Sequence, residues 1–226
     1  FTMNSGGSAV YSLPTADGLS GQVLQTDGGG TLSFVDPSTV SSLNTISDVL
    51  IENDSLYIGH DPNATTTDTA QYNVAVGVTA LDAITSGSSN TAVGYNALTT
   101  NTSGESNIAI GYESLRDNET GNFNTAIGRH ALKESTSGNE NVAIGRGTLP
   151  NLTSGDYNIA IGSGGIASNL ITGSNNIFIG YAQPHPDNTN NASNQIVIGE
   201  EAVGGGNNTL VIGGPSSGSY RLTSWK

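Results

Sequence analysis

The stretch SSNTAVGYNAL at residues 88–98 returns as ESNIAIGYESL at 105–115 and as NFNTAIGRHAL at 122–132. The glycine of the A-[VI]-G core serves as a ruler. It falls at Gly77, Gly94, Gly111, Gly128, Gly145 and Gly162, each step being 17 residues. Looser copies place further ruler glycines at Gly59, Gly180, Gly199 and Gly213, with steps of 18, 18, 19 and 14 residues. A fixed period of this size marks a stacked, quasi-one-dimensional architecture whose end repeats are atypical.

Each copy has the same parts. An alternating run such as Ile108, Ala109, Ile110 predicts a short strand with two faces. A leucine follows four residues after the ruler glycine, at Leu81, Leu98, Leu115, Leu132 and Leu149, with Ile166 next in the series. A turn carries Gly87, Gly104, Gly121, Gly138 and Gly155, where positive φ is expected. An asparagine opens each strand: Asn73, Asn90, Asn107, Asn124, Asn141 and Asn158. Helix competes poorly, because Gly, Thr, Asn and Ser dominate between the apolar positions. The repeat predicts an all-β chain, a parallel β-solenoid (β-roll) with about 17 residues and two short strands per coil. At about 4.8 Å per coil, roughly ten coils make a rod on the order of 45 Å long. The unit is defined by Asn90, Ala92, Gly94 and Leu98, by Asn107, Ala109, Gly111 and Leu115, and by Asn124, Ala126, Gly128 and Leu132.

The alternation predicts which way each column faces. Val and Ile are expected inside the coil with the leucines. The column Ala75, Ala92, Ala109, Ala126, Ala143, Ala160 is expected outside, at or near a contact with another chain, because a thin coil leaves one sheet face uncovered. Tyr57, Phe178, Val197 and Val211 take the alanine position near the ends, where the rod is expected to open out or be plugged.

Composition narrows the function. The chain has 226 residues, no Cys and a net charge of −13, and residues 1–115 contain no Lys or Arg. Nucleic-acid binding needs a basic footprint, which the sequence lacks, so no nucleic-acid partner is expected, and binding to anionic membranes is disfavoured for the same reason. No segment approaches the roughly 18 apolar residues of a membrane span, so no membrane insertion is expected. Disulfide and thiol chemistry are excluded by the missing cysteines. The opening FTMNSGG reads as a start within a longer protein, without a signal peptide.

Ahead of the repeats, Asp27–Gly28 between QVLQT and TLSFVD predicts a β-hairpin. Residues 37–54 carry Val40, Leu43, Ile46, Val49 and Leu50, a spacing that suits a short helix and a β segment alike. The sequence divides into a hairpin fibre segment at 1–36, a connector at 37–54, the β-roll at 55–214 and a tail at 215–226.

NTAVGYNALTTNTSGESNIAIGYESL resembles the repeat of YadA-like heads in trimeric autotransporter adhesins. That resemblance implies a left-handed β-roll assembled as an intertwined or side-by-side homotrimer. The longer repeat looks still more like tail fibres of tailed bacteriophages, in which it often precedes a self-cleaving chaperone. LPTADGLSGQVLQTDGGGTLSFVD and ISDVLIENDSLYIG also resemble phage fibre segments. The resemblance implies a structural fibre protein of the virion that serves as spacer and host attachment. Its partners would be other phage tail proteins and a host surface glycan or protein receptor. The alternative it leaves open is the head fragment of a bacterial trimeric adhesin on the cell surface. The departures are the irregular steps after Gly162 and the insertion AQPHPDNTNNAS at 182–193.

No catalytic, cofactor or metal residues stand out, and an enzyme is not expected. His60, His130 and His185 occupy unlike repeat positions, short of the four convergent ligands of a zinc site. Asp156, Asp187, Glu200 and Glu201 offer oxygen ligands of the kind Ca²⁺ takes, but without EF-hand spacing or a nonapeptide calcium repeat. GSGG at 162–165 reads as one more coil rather than a phosphate loop. Receptor contact is expected at two places. One is the irregular stretch with Tyr181, Pro184, His185 and Asp187, since recognition favours loops on a rigid scaffold. The other is the column after the ruler glycine, Val78, Tyr95, Tyr112, Arg129, Arg146, Ser163, Tyr181, where Tyr95 and Tyr112 form an aromatic ledge and Arg129 is expected to stack on Tyr112.

Overall fold

The computed structural model describes residues 2–5, 9–12, 23–26, 32–35, 49–59, 70–181, 191–213 and 220–222. The chain forms two units, Phe1–Ser47 and Asp48–Lys226. In the first, β1 (Thr2–Ser5) pairs antiparallel with β2 (Ala9–Ser12), and β3 (Val23–Thr26) with β4 (Leu32–Val35). The β3–β4 hairpin is the one read around Asp27–Gly28. Its register joins Thr26 to Leu32, so five residues separate the strands rather than the two of a minimal turn.

The second unit begins with a tight hairpin. β5 (Val49–Glu52) pairs antiparallel with β6 (Ser55–Ile58). Asn53 and Asp54 between them have φ of 48° and 57°, the left-handed pair that a two-residue hairpin turn requires. The end of the connector is therefore strand, not helix. From there the coils stack through β7 (Val74–Val76), β8 (Thr91–Val93), β9 (Ile108–Ile110), β10 (Thr125–Ile127), β11 (Val142–Ile144), β12 (Ile159–Ser163), β13 (Ile177–Tyr181), β14 (Gln195–Glu200) and β15 (Thr209–Ile212). Strands β6 to β15 are parallel neighbours in one sheet, which β16 (Tyr220–Leu222) closes by antiparallel pairing with β15. The repeat thus builds an all-β solenoid of about eight turns, with no helix among the described residues.

Each coil holds one strand, not the two expected. The rest of the coil is a chain of turns whose backbone bonds pass to the next coil. Leu98 N–H donates to Ser114 O (3.1 Å), Thr100 N–H to Arg116 O (3.2 Å) and Thr102 N–H to Glu119 O (3.0 Å). The non-glycine residues two after the ruler glycine, such as Asn96 and Glu113, the Leu column, and the residue before each strand-opening asparagine have φ between 47° and 61°. A left-handed non-glycine residue costs roughly 1–2 kcal/mol, so this geometry persists only because neighbouring coils fix it through those bonds.

The faces are the reverse of the expectation. The alanines lie inside: Ala92, Ala109, Ala126, Ala143 and Ala160 are fully buried, and Tyr57, Phe178, Val197 and Val211 continue the same interior column. The Val and Ile columns lie outside, with Ile108 and Ile110 each 39% exposed. Alternation defines two faces without saying which is inner. The leucines and Ile84, Leu152 and Leu170 reach across from the turn side and fill the lumen. A thin coil then has room only for a methyl on the opposing strand. The alanine column is therefore not an inter-chain contact, and its larger members plug the lumen instead of opening the rod.

Two glycine readings also change. The turn glycines Gly87, Gly104, Gly121, Gly138 and Gly155 lie outside the left-handed region. They are glycine because the next coil passes too close: a Cβ on Gly104 would meet Gly121 O at 2.4 Å. The ruler glycines combine both demands. Gly111 has φ of 136°, and a Cβ there would lie 2.7 Å from Gly128 O. Ile166 is not the next member of the Leu column. Leu149 N–H donates to Ile166 O where Leu132 N–H donates to Thr148 O, so Ala167, with φ of 51°, takes the leucine's place.

The strand-opening asparagines form a continuous buried ladder. Asn107 Nδ2 donates to Asn90 Oδ1 (3.1 Å) and to Gly121 O (2.8 Å), and Asn107 N–H donates to Asn90 Oδ1 (3.0 Å). Asn124, Asn141 and Asn158 repeat the set, and Asn176 continues it with Ala192 O as the turn acceptor. Asn124→Ala would strip partners from Gly138 O, Asn107 Oδ1 and both nitrogens of Asn141. A loss of about 2–4 kcal/mol is expected, because buried groups are left unpaired. Asn122→Ala, on the partly exposed outer ladder where Asn122 Oδ1 accepts from Glu105 N–H (2.8 Å), should cost under about 1 kcal/mol. Denaturation midpoints of the two variants check the contrast.

Candidate functional site

The outer face of the long sheet is the candidate site, and it is built from four columns. The middle two are largely apolar: one carries Val74, Ile108, Val142 and Ile159 but is interrupted by Thr91 and Thr125, and the other is Val and Ile throughout, including Ile110, Ile127, Ile144, Ile161 and Ile179. Val74, Ile108, Ile110, Ile127, Ile144, Ile159, Ile161 and Ile179 are each more than a third exposed, a run of apolar side chains of the kind that marks interaction surfaces. One edge carries Tyr72, Ser89, Ser106, Phe123, Glu140, Tyr157 and Asn175, all with left-handed φ. The aromatic members are more than half exposed. The other edge is the column after the ruler glycine.

That second edge holds the stacked ledge read from the sequence. The rings of Tyr95 and Tyr112 lie 5.4 Å apart at 21°, and the Arg129 guanidinium sits 5.6 Å from the Tyr112 ring centre. His130 adds a tilted contact to Tyr112, with ring centres 5.5 Å apart. Farther along, Arg129, Arg146 and Tyr181 wall an open depression of about 420 Å³ with Gly147, Gly164 and Gly165 along its floor. The structure therefore brings Tyr95 and Tyr112 together and places Tyr181 on the same edge. Pro184, His185 and Asp187 lie outside the described residues, as does His60.

Charge concentrates beside the ledge in a way the sequence reading missed. Glu113 Oε2 lies 3.4 Å from Arg116 Nη1, 3.4 Å from His130 Nε2 and 3.6 Å from Lys133 Nζ, joining two coils. Arg116 also grips Asp117, its Nε donating to Oδ1 (2.6 Å) and its Nη2 to Oδ2 (2.5 Å). The available signal was that Glu113 and His130 fall one period apart, as do Arg116 and Lys133, on the same turn. Hydrogen bonding and charge from Glu113 raise the Tyr112 phenol above its ordinary pKa. Burial and then Arg129 hold His130 below 6.5, outweighing the opposing pull of Glu113.

Of the oxygen ligands weighed for Ca²⁺, Asp187 lies outside the described residues. Asp156 Oδ1 accepts from Asn139 N–H (2.7 Å) and Asn139 Nδ2 (3.2 Å), as a member of the outer ladder. Among the described residues no group of three or more His, Cys, Asp or Glu side chains is placed to hold a metal ion. Likewise no helix among them is long and apolar enough to cross a membrane. No protein-family model matches the chain, and no match was found among curated proteins or solved structures.

The depressed His130 gives a signed pH effect. The folded chain binds this proton less readily than the unfolded chain, so protonation favours unfolding. The stability linked to His130 is complete above the unfolded value near 6.5 and is lost as pH falls through the folded value. An NMR titration should place His130 below 6.5. Glu113→Gln should lower it further, because the carboxylate charge is a raising influence.

Proposed function

We propose that this chain is a rod segment of a phage tail fibre, a parallel homotrimer that acts as spacer and host attachment. The observation that carries the reading is the apolar Val/Ile face, which runs the length of the solenoid and which one chain leaves open to water. Three copies turning this face to a common axis bury it without exposing a new edge. The repeat's resemblance to fibre and adhesin β-rolls supports the same assembly. Coil-to-coil hydrogen bonding through strand, turn and asparagine ladder gives the stiffness a spacer needs. Attachment is assigned to irregular positions on the rod, with a host surface glycan or protein as receptor and other tail proteins at its ends. The reading contains no bond-breaking step. The chain should release no reducing sugar from host polysaccharide.

Two substitutions on one strand test the assembly. Ile110→Glu puts a carboxylate on the outer face and should leave the β-rich circular dichroism intact while dissociating the trimer in light scattering. Ala109→Glu forces a charge into a dry lumen and should unfold the coil outright, as buried unpaired charges do. A monomeric parent chain, or an unaltered trimer in Ile110→Glu, would overturn the assembly. Immunogold labelling with antibodies to this chain should mark phage tails; label on bacterial cell surfaces would favour the adhesin instead.

A further inference from the structure

The two edges of the apolar face complement each other coil by coil, and we infer that they form the joints between neighbouring chains. The inference rests on the trimeric reading above. Three sheets facing one axis make a triangular prism. At every corner the edge that precedes the strand in one chain meets the edge that follows it in the next. Rotation about the axis keeps height, so each coil meets its own copy.

The residues thereby opposed fit in size and charge. Tyr72 faces Val78, Ser89 faces Tyr95, Ser106 faces Tyr112, and Phe123 faces Arg129. Glu140 faces Arg146, Tyr157 faces Ser163, and Asn175 faces Tyr181. No coil among these seven opposes two aromatic rings, although six of the fourteen positions are aromatic. An aromatic residue on one edge goes with a non-aromatic one on the other, and the one acidic residue goes with an arginine. Within one chain the two members stand at opposite ends of the same strand, six residues apart along the chain. Glu140 and Arg146 are both exposed, and among the described residues neither forms an ion pair within its own chain. The same scheme accounts for large aromatics at left-handed positions on an open surface, where serine serves in neighbouring coils.

Charge reversal separates this pairing from trimer formation in general. Glu140→Arg or Arg146→Glu alone sets like charges at all three corners. Each should raise the concentration at which the trimer dissociates by roughly tenfold or more. The double variant, carrying both changes on every chain, should return that concentration to near the parent value. Only contacts between chains can produce the rescue. As a second measurement, Tyr157→Cys with Ser163→Cys, in a chain with no other cysteine, should give covalent trimers with a short bis-maleimide. Trimers that ignore the single reversals, or a double variant weaker than either single, would overturn the edge pairing while leaving the trimer standing. A parent chain that is monomeric in light scattering would overturn both.

Discussion

The buried asparagine ladder is the interaction on which the rest of the rod depends. Each side chain in its regular stretch uses both amide hydrogens and its oxygen. The amide serves the preceding asparagine and a turn carbonyl, and the oxygen serves the backbone and side chain of the following one. A buried amide is costly when unpaired and strongly position-specifying when fully paired. The ladder therefore fixes the height and rotation of every coil relative to the last. It also ties the strand to the turn 14 residues later in the chain, as Asn107 does to Gly121, which closes each coil.

Once that residue points inward, the remaining orientation follows. The alanine two positions on shares its face and must be small, because the turn-side leucines occupy the lumen. The Val and Ile positions are turned to the outside, where their packing within one chain is incomplete. A coil too thin to use its larger apolar residues internally leaves them on its surface. The driving force for the proposed association would thus be a by-product of how the coil closes.

The turn side answers a different constraint. Left-handed backbone at leucine, serine or tyrosine is unfavourable locally, yet it recurs in nearly every coil. Stacked carbonyls and amides satisfy one another only in that shape, and the same stacking leaves no space for a Cβ at the turn and ruler glycines. The rod is cooperative in this sense: each coil's strained turn is held by its neighbours. Where the step lengthens between Gly162 and Gly180, the extra residue is absorbed at the glycines of residues 164–165, and the interior column resumes with Phe178.

The period alone determined a great deal. Seventeen residues are too few for a helical repeat pair and enough for one closed coil. The recurring Gly, Asn and Leu set the register that the parallel strands adopt, and the neighbouring positions of Tyr95, Tyr112 and Arg129 were legible as a stack for the same reason. The hairpin around Asp27–Gly28 was legible from turn chemistry. Which face of the strand is interior was not, because a two-residue alternation has two solutions related by a flip. Only the closed coil chooses between them, through the asparagine's need for buried partners and the volume of the opposing leucines. The turn glycines' role was hidden for a similar reason: close approach of the next coil, not a local φ, demands them. The Glu113 cluster and the matching of the two sheet edges likewise come into view only when residues one period apart, or on opposite sides of a strand, are given positions in space.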